Sequence, residues 1–266
     1  MMLEGPLRKM RTQINDPIDY YMTFPSVFVR VNDLIGKSLS FTHTGFSCMS
    51  CGNDQPIFRQ GFCKSCFFEM PSAGDWIMRP ELSQAHLDIE DRDLAYEKKV
   101  QLQPHIVYLA VSSGLKVGVT RKTQVPTRWI DQGAHQTIPI VEVPNRYLAG
   151  ITEVALKSHY NDKTNWRQML TQKPEPLDLE AERKRALSYL PNEVKDYASS
   201  ALQEKTMSLY FPLQTPPTAV KSINLTKVKQ FSATLAGVKG QYLIFSNQQV
   251  MNIRGHEGVF VTLTVT

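Results

Sequence analysis

Four cysteines constrain this chain more than any other feature. Cys48, Cys51, Cys63 and Cys66 are the only ones among 266 residues, and they form two Cys-x-x-Cys pairs. Each pair makes a tight turn that aims two sulfurs at one point, and the loop between must double back to bring the pairs together. Gly52 and Gly61, at either end of that loop, suit the sharp backbone involved. A disulfide framework staples distant segments of an exported chain, whereas these cysteines all lie in one short segment. Metal ligation is therefore the expectation. Four thiolates at about 2.3 Å close a tetrahedral shell around Zn2+ and leave no position for water, which makes the ion structural rather than catalytic. Iron in the same shell and two disulfides are the alternatives. A segment of this length has little apolar core, so a metal affinity of roughly 10–16 kcal/mol is folding energy there.

The segment, residues 46–70, resembles a zinc ribbon or knuckle, and around it the chain reads as mixed. Residues 1–45 look like strands, with Val27–Val31 and Ser38–Phe41 rich in β-formers and joined by turn residues Asn32, Asp33 and Gly36. Residues 71–104 are polar and acidic, and a helix is expected from about Pro80 to Lys99 as a connector. Residues 105–170 read as a compact α/β unit. It has strands at His105–Val111 and Leu115–Thr120 around a Ser112-Ser113-Gly114 turn, a short helix at Thr127–Gly133, a strand at Ile138–Val143, and an amphipathic helix at Arg146–Tyr160. Residues 171–204 open with Pro174 and Pro176 and continue as a linker with a charged helix through Leu187. From 205 to 266 the pattern is β throughout. Strands are expected at Met207–Leu213, Lys229–Leu235, Gln241–Phe245, Val250–Arg254 and Val259–Val265, forming a small barrel or sandwich that the N-terminal strands complete.

The formal net charge is +5, and it is concentrated. Residues 105–170 carry eight Lys or Arg against four Asp or Glu, and residues 205–266 carry six against one, Glu257, with acidic stretches before each block. Such blocks suit a polyanion, and nucleic acid, DNA or RNA, is the expected partner. In the C-terminal block Lys239, Tyr242, Arg254 and His256 sit in or beside glycine turns, where they are expected to track a phosphate backbone and stack on bases. In the first block Lys116, Arg121, Lys122 and Arg128 are the matching set. The longest apolar runs are far too short to cross a bilayer, so no membrane role is expected. The first residues contain Glu4 and no apolar core of an export signal, which makes the cytoplasm the expected compartment.

Within residues 105–170, Tyr108, Lys116, Arg128, Glu153 and Asn165 stand out. On a helical wheel of 146–160, Leu148, Ile151, Ala155 and Leu156 share one side, and Glu153 falls outside it. The order of features, with His105-Ile106-Val107-Tyr108-Leu109 and then Lys116-Val117-Gly118-Val119-Thr120, resembles the GIY-YIG nuclease domain. That resemblance places the family's arginine on Arg128, its metal-binding glutamate on Glu153 and its late asparagine on Asn165. It implies phosphodiester hydrolysis at one Mg2+ or Mn2+ held by Glu153, with Arg128 on the phosphate and tyrosines positioning or deprotonating water. Lys116 stands where the family has its second tyrosine. The implied site is therefore degenerate or weakly active, in a nucleic-acid-binding protein with a structural zinc. An active metal-dependent endonuclease, and an interaction subunit of a larger protein or ribonucleoprotein complex, are the alternatives. The whole arrangement, including the Gly237–Phe245 segment, is similar to the domain of unknown function 2797 family of bacterial proteins. The expected fold class is α+β: a four-cysteine zinc ribbon, a small GIY-YIG-like α/β domain, and a β-rich barrel or sandwich from the two chain ends.

Overall fold

The computed structural model describes every residue except Lys173, Pro174 and Pro176, so the prolines expected to open the linker lie outside the described residues. The chain is mixed α and β, and it divides into two compact units. One is Met1–Glu69 together with Tyr210–Thr266, and the other is Met70–Leu209.

The first unit begins with β1 (Met2–Pro6), then a three-stranded antiparallel sheet of β2 (Arg11–Gln13), β3 (Asp19–Phe24) and β4 (Val27–Arg30). The expected turn at Asn32-Asp33 is a 3-10 turn, Val31–Leu34, which buries Val31 and Leu34. It leads into β5 (Ser38–Phe46), and a hairpin of β6 (Ile57–Arg59) and β7 (Phe62–Cys63) follows, closed by α1 (Lys64–Glu69).

The second unit opens differently from the expectation. In place of one helix from Pro80 to Lys99 there are 3-10 turns at Pro80–Leu82 and Ala85–Leu87, and α2 spans only Leu94–Gln101. Two local features stop the longer helix. Asp88 takes a left-handed backbone, φ 59°, and Asp93 is an N-cap whose carboxylate accepts from the Tyr96 N–H at 2.9 Å. Then come β8 (His105–Val111), β9 (Leu115–Arg121), α3 (Thr127–Asp131), β10 (Gln136–Val143), α4 (Arg146–Leu156), α5 (Trp166–Thr171), α6 (Leu179–Leu187) and β11 (Met207–Ser208). The strands form one antiparallel sheet in the order β11-β10-β8-β9. All seven residues of β8 are buried, as befits a central strand covered on both faces. Val107, Leu109, Ile138 and Ile140 pack with Ala149 and Leu156 of α4 and Leu179 and Ala186 of α6. The expected strand at Met207–Leu213 is cut to two residues and pairs with β10. Pro212 has no N–H to extend such a ladder.

The remaining elements return to the first unit: β12 (Lys221–Ser222), α7 (Leu225–Val228), β13 (Gln230–Lys239), β14 (Tyr242–Phe245), β15 (Gln249–Asn252) and β16 (Val259–Val265). They join β1 and β5 in a seven-stranded sheet ordered β1-β16-β5-β13-β14-β15-β12. Along β16, a strand expected from the sequence, burial alternates strictly, with Val259, Val261, Leu263 and Val265 inward. The two chain ends therefore share a sheet, but it is open. A closed barrel is not formed: β1 and β12 stand at opposite edges, and β12 contributes only two residues of ladder.

One close packing in the second unit has a direct test. Gly150 of α4 lies against the Pro80–Leu82 turn, and a Cβ at this position would run into the backbone of Pro80 and Glu81. Gly150→Val should cost about 1–3 kcal/mol of stability by overpacking, read as a lower denaturant midpoint. An unchanged midpoint would show that the turn does not rest on α4.

Candidate metal centre and candidate active site

The metal centre is built by the β6–β7 hairpin. Arg59 pairs with Phe62 across a two-residue turn, Gln60-Gly61, in which both residues have positive φ (52° and 80°). This is the turn geometry that matches strand twist in tight hairpins. It places Cys63 at the end of β7 and Cys66 on the following helix, facing the Cys48–Cys51 turn, where Gly52 has φ 74°. The four sulfurs lie within 4.8 Å of one another, and Cys51 and Cys63 are 4.0 Å apart. Sulfurs around one tetrahedral ion sit about 3.8 Å apart, nearly twice the length of a disulfide bond. All four cysteines are free thiols in this arrangement. Burial pushes the Cys48 thiol up, but the N–H groups of Cys63, Cys51 and Ser50 outweigh it and bring the pKa down to about 6. The Cys63 N–H donates to Cys48 Sγ at 3.3 Å. Such a donor set suits a thiolate, and four sulfurs this close could hold one metal ion such as zinc.

The second unit gathers a polar cluster from four elements. Tyr108 of β8 is fully buried, and its hydroxyl donates to Gln132 Oε1 at 2.9 Å. It lies opposite Gly118 of β9, where a Cβ would stand 2.8 Å from the tyrosine oxygen, so only glycine leaves the ring its place. Lys116, also on β9, is 5% exposed, and burial, with Arg128 adding to it, lowers its pKa to about 8. Glu153 and Asp162 oppose that shift. Asp162 is carried there by the loop after α4, whose Asn161 carbonyl accepts from the Val117 N–H at 2.8 Å. Burial pushes the Tyr108 phenol up to about 12, against the charge and hydrogen bond of Arg128 on α3. Glu153 of α4 is half-buried, which raises its carboxyl pKa; Lys157 at 3.7 Å works against this, while Glu81 and Asp162 add to it.

Tyr108, Lys116, Arg128 and Glu153 are thus brought together. Asn165 caps α5, its side-chain oxygen accepting from the N–H groups of Arg167 and Gln168. Arg121 lies at the end of β9, and Lys122 is exposed and paired with Glu142 at 2.8 Å. In the C-terminal block, Arg254 is exposed and Tyr242 is half-buried. Lys239 and His256 require correction. Lys239 is 2% exposed, its ammonium 5.7 Å from the centre of the Phe211 ring, and burial lowers its pKa to about 8. His256 donates from Nδ1 to the Asn252 carbonyl and accepts at Nε2 from the Leu225 N–H, a neutral imidazole locked inside the unit. Neither reaches a phosphate backbone from the interior.

Four residues of the cluster escaped the sequence reading. Gln132 follows Arg128 by one helical turn, and Arg146 precedes Glu153 by two, so helical spacing marked both. Arg146 is held by the carbonyls of Trp76 (3.1 Å) and Ile77 (2.8 Å) and acts on Glu153 electrostatically. Glu81 and Asp162 arrive only through packing of distant segments.

Fold and site together define a two-unit α+β protein with a possible four-cysteine metal site on one unit and, in the other, a cluster of buried Tyr108 and Lys116 with half-buried Arg128 and Glu153. No helix among the described residues is long and apolar enough to cross a membrane. The chain belongs to the family described as "Protein of unknown function (DUF2797)", which matches residues 36–261 and so spans the metal centre, the cluster and most of the C-terminal strands. No curated protein matches the chain. Nor does any solved structure.

Elemental analysis of the purified chain should find one metal ion per molecule, with zinc the expected element. Cys63→Ser should lower that content and speed proteolysis between Phe46 and Phe68. Metal-free native protein would refute the centre.

Proposed function

We propose that this protein binds nucleic acid, that its four-cysteine centre holds a structural Zn2+, and that the second unit carries a GIY-YIG-like phosphodiester site of low hydrolytic capacity. The convergence of Tyr108, Lys116, Arg128 and Glu153, residues spread over 46 positions of sequence, carries the reading. The order strand, hairpin, strand, helix, strand, helix supports it, as does the excess of basic residues in 105–170.

Each side chain has a role its environment suits. Glu153 would hold Mg2+ or Mn2+, and as a single carboxylate it would leave the rest of the shell to water and phosphate oxygens, the usual arrangement for Mg2+. The ion would supply charge neutralisation and a more acidic water. Arg128 offers a guanidinium fork to the phosphate. Tyr108, with its pKa pushed up to about 12 and its hydroxyl tied to Gln132, positions rather than deprotonates. That leaves Lys116 as the base. With a pKa of about 8 it is mostly protonated at neutral pH, when it binds phosphate well and removes protons poorly. Slow turnover follows.

Nicking of plain duplex DNA with Mg2+ or Mn2+ should be weak at pH 7 and rise through about pH 8 as Lys116 loses its proton. Glu153→Gln should abolish it, and Lys116→Met should flatten the pH profile and cost about 10²–10⁴-fold in rate. Fast cleavage at about pH 6.5, where the lysine is almost wholly protonated, would overturn the weak-base reading. Cleavage that survives Glu153→Gln would remove the site altogether.

A further inference from the structure

The metal hairpin carries a feature that neither the thiolates nor the fold uses. Phe58 on β6 and Phe67 and Phe68 on α1 form a triad with ring centres 5.3, 5.8 and 5.4 Å apart. The module's interior is already occupied: Phe62 fills it at 8% exposure, with the buried thiols of Cys48 and Cys63. The triad packs on itself instead, and it leaves Phe68 58% and Phe58 43% exposed. Two adjacent, outward-facing phenylalanines at one tip are costly in water and mark a contact surface. Exposed Arg59 and Lys64 lie beside them, with the Arg59 guanidinium 5.3 Å over the Phe58 ring, and exposed Glu69 follows Phe68 at the end of the helix.

We infer that the Phe58–Phe67–Phe68 tip, with Arg59 and Lys64, is a stacking platform for unpaired bases of single-stranded nucleic acid. The inference rests on the nucleic-acid reading above and locates its binding surface on the metal hairpin. A ring face accepts any base, while a duplex hides its base faces in the stack, so this chemistry selects single strands. Arg59 and Lys64 flank the rings where the connecting phosphates would run.

The test uses the zinc-loaded full chain and fluorescent oligo(dT) and oligo(U), read by anisotropy across a salt series. Phe58→Ser with Phe68→Ser should weaken binding about 10–100-fold, as expected for losing a stacked base, and leave the salt slope unchanged. Arg59→Gln should reduce that slope by about one phosphate. Since serine could disturb the module, Phe58→Trp is the companion variant; it should retain affinity and its fluorescence should be quenched by oligonucleotide. Native binding with no loss in the serine pair and no quenching of the tryptophan would overturn the platform while leaving nucleic-acid binding intact. No oligonucleotide binding by the native chain would overturn both. A dimer that dissolves in the serine pair, at unchanged oligonucleotide affinity, would make the tip a self-association surface instead.

Discussion

The ladder between β5 and β16 is the constraint on which the first unit depends. It joins segments from opposite ends of the chain, with Leu39 opposite Val265, Phe41 opposite Leu263 and Phe46 opposite Val259. β1 adds to the outer side of β16, and β13 to the other side of β5. Closing so long a loop costs entropy that grows only slowly with its length, and the row of buried Val, Leu and Phe side chains offsets it. Because the ladder closes around residues 70–209, those residues form a separate compact unit inserted in the chain. The ladder also runs up to the metal hairpin. The Ser47 N–H donates to Gly258 O at 2.7 Å, so Cys48 leaves directly from the end of the sheet. The metal hairpin is short of apolar core, but it starts from a fixed point.

In the second unit the governing influence is burial. Tyr108, Lys116 and Glu153 each have their pKa moved first by desolvation and only then by neighbours. The direction in each case favours the neutral form: phenol, amine and carboxylic acid. A site of this kind holds potential charge at a cost, which is why the proposed function gives it a phosphate and a divalent cation as partners. Arg146, clamped by two backbone carbonyls of the preceding segment, links the geometry of residues 76–81 to the glutamate. The Gly150 contact does the same from the helix side. The turns of residues 71–87 thus shape the electrostatics of the cluster, although they resemble a mere connector in sequence.

Much of the local structure was legible. The β-rich run Val259–Val265, the glycine of the Ser112-Ser113-Gly114 turn and the apolar side of 146–160 are local signals, and they placed β16, the β8–β9 hairpin and α4, although α4 ends at Leu156 and not at Tyr160. The helix expected from Pro80 failed because composition alone does not reveal that Asp93 starts a helix rather than continuing one. Lys239 and His256 misled because a basic residue beside a glycine turn looks solvated. Their burial follows from how β13, β14 and the Arg254–His256 turn fold inward, and no sequence period reports it.

By itself the sequence determined the four-cysteine cluster, since four thiols at that spacing in a short segment can converge on one point, and it determined the family and the α+β class. It also named four members of the polar cluster, because each lies at a recognisable step of the strand–turn–helix order. Only the tertiary structure decided that the chain ends share an open sheet and do not close a barrel, that Glu81 and Asp162 stand by Glu153, and that Lys116 is buried. Those outcomes depend on which distant surfaces meet and how much water they exclude. Desolvation is a property of a three-dimensional environment, so the protonation chemistry of Lys116 could be read only once the chain had folded around it.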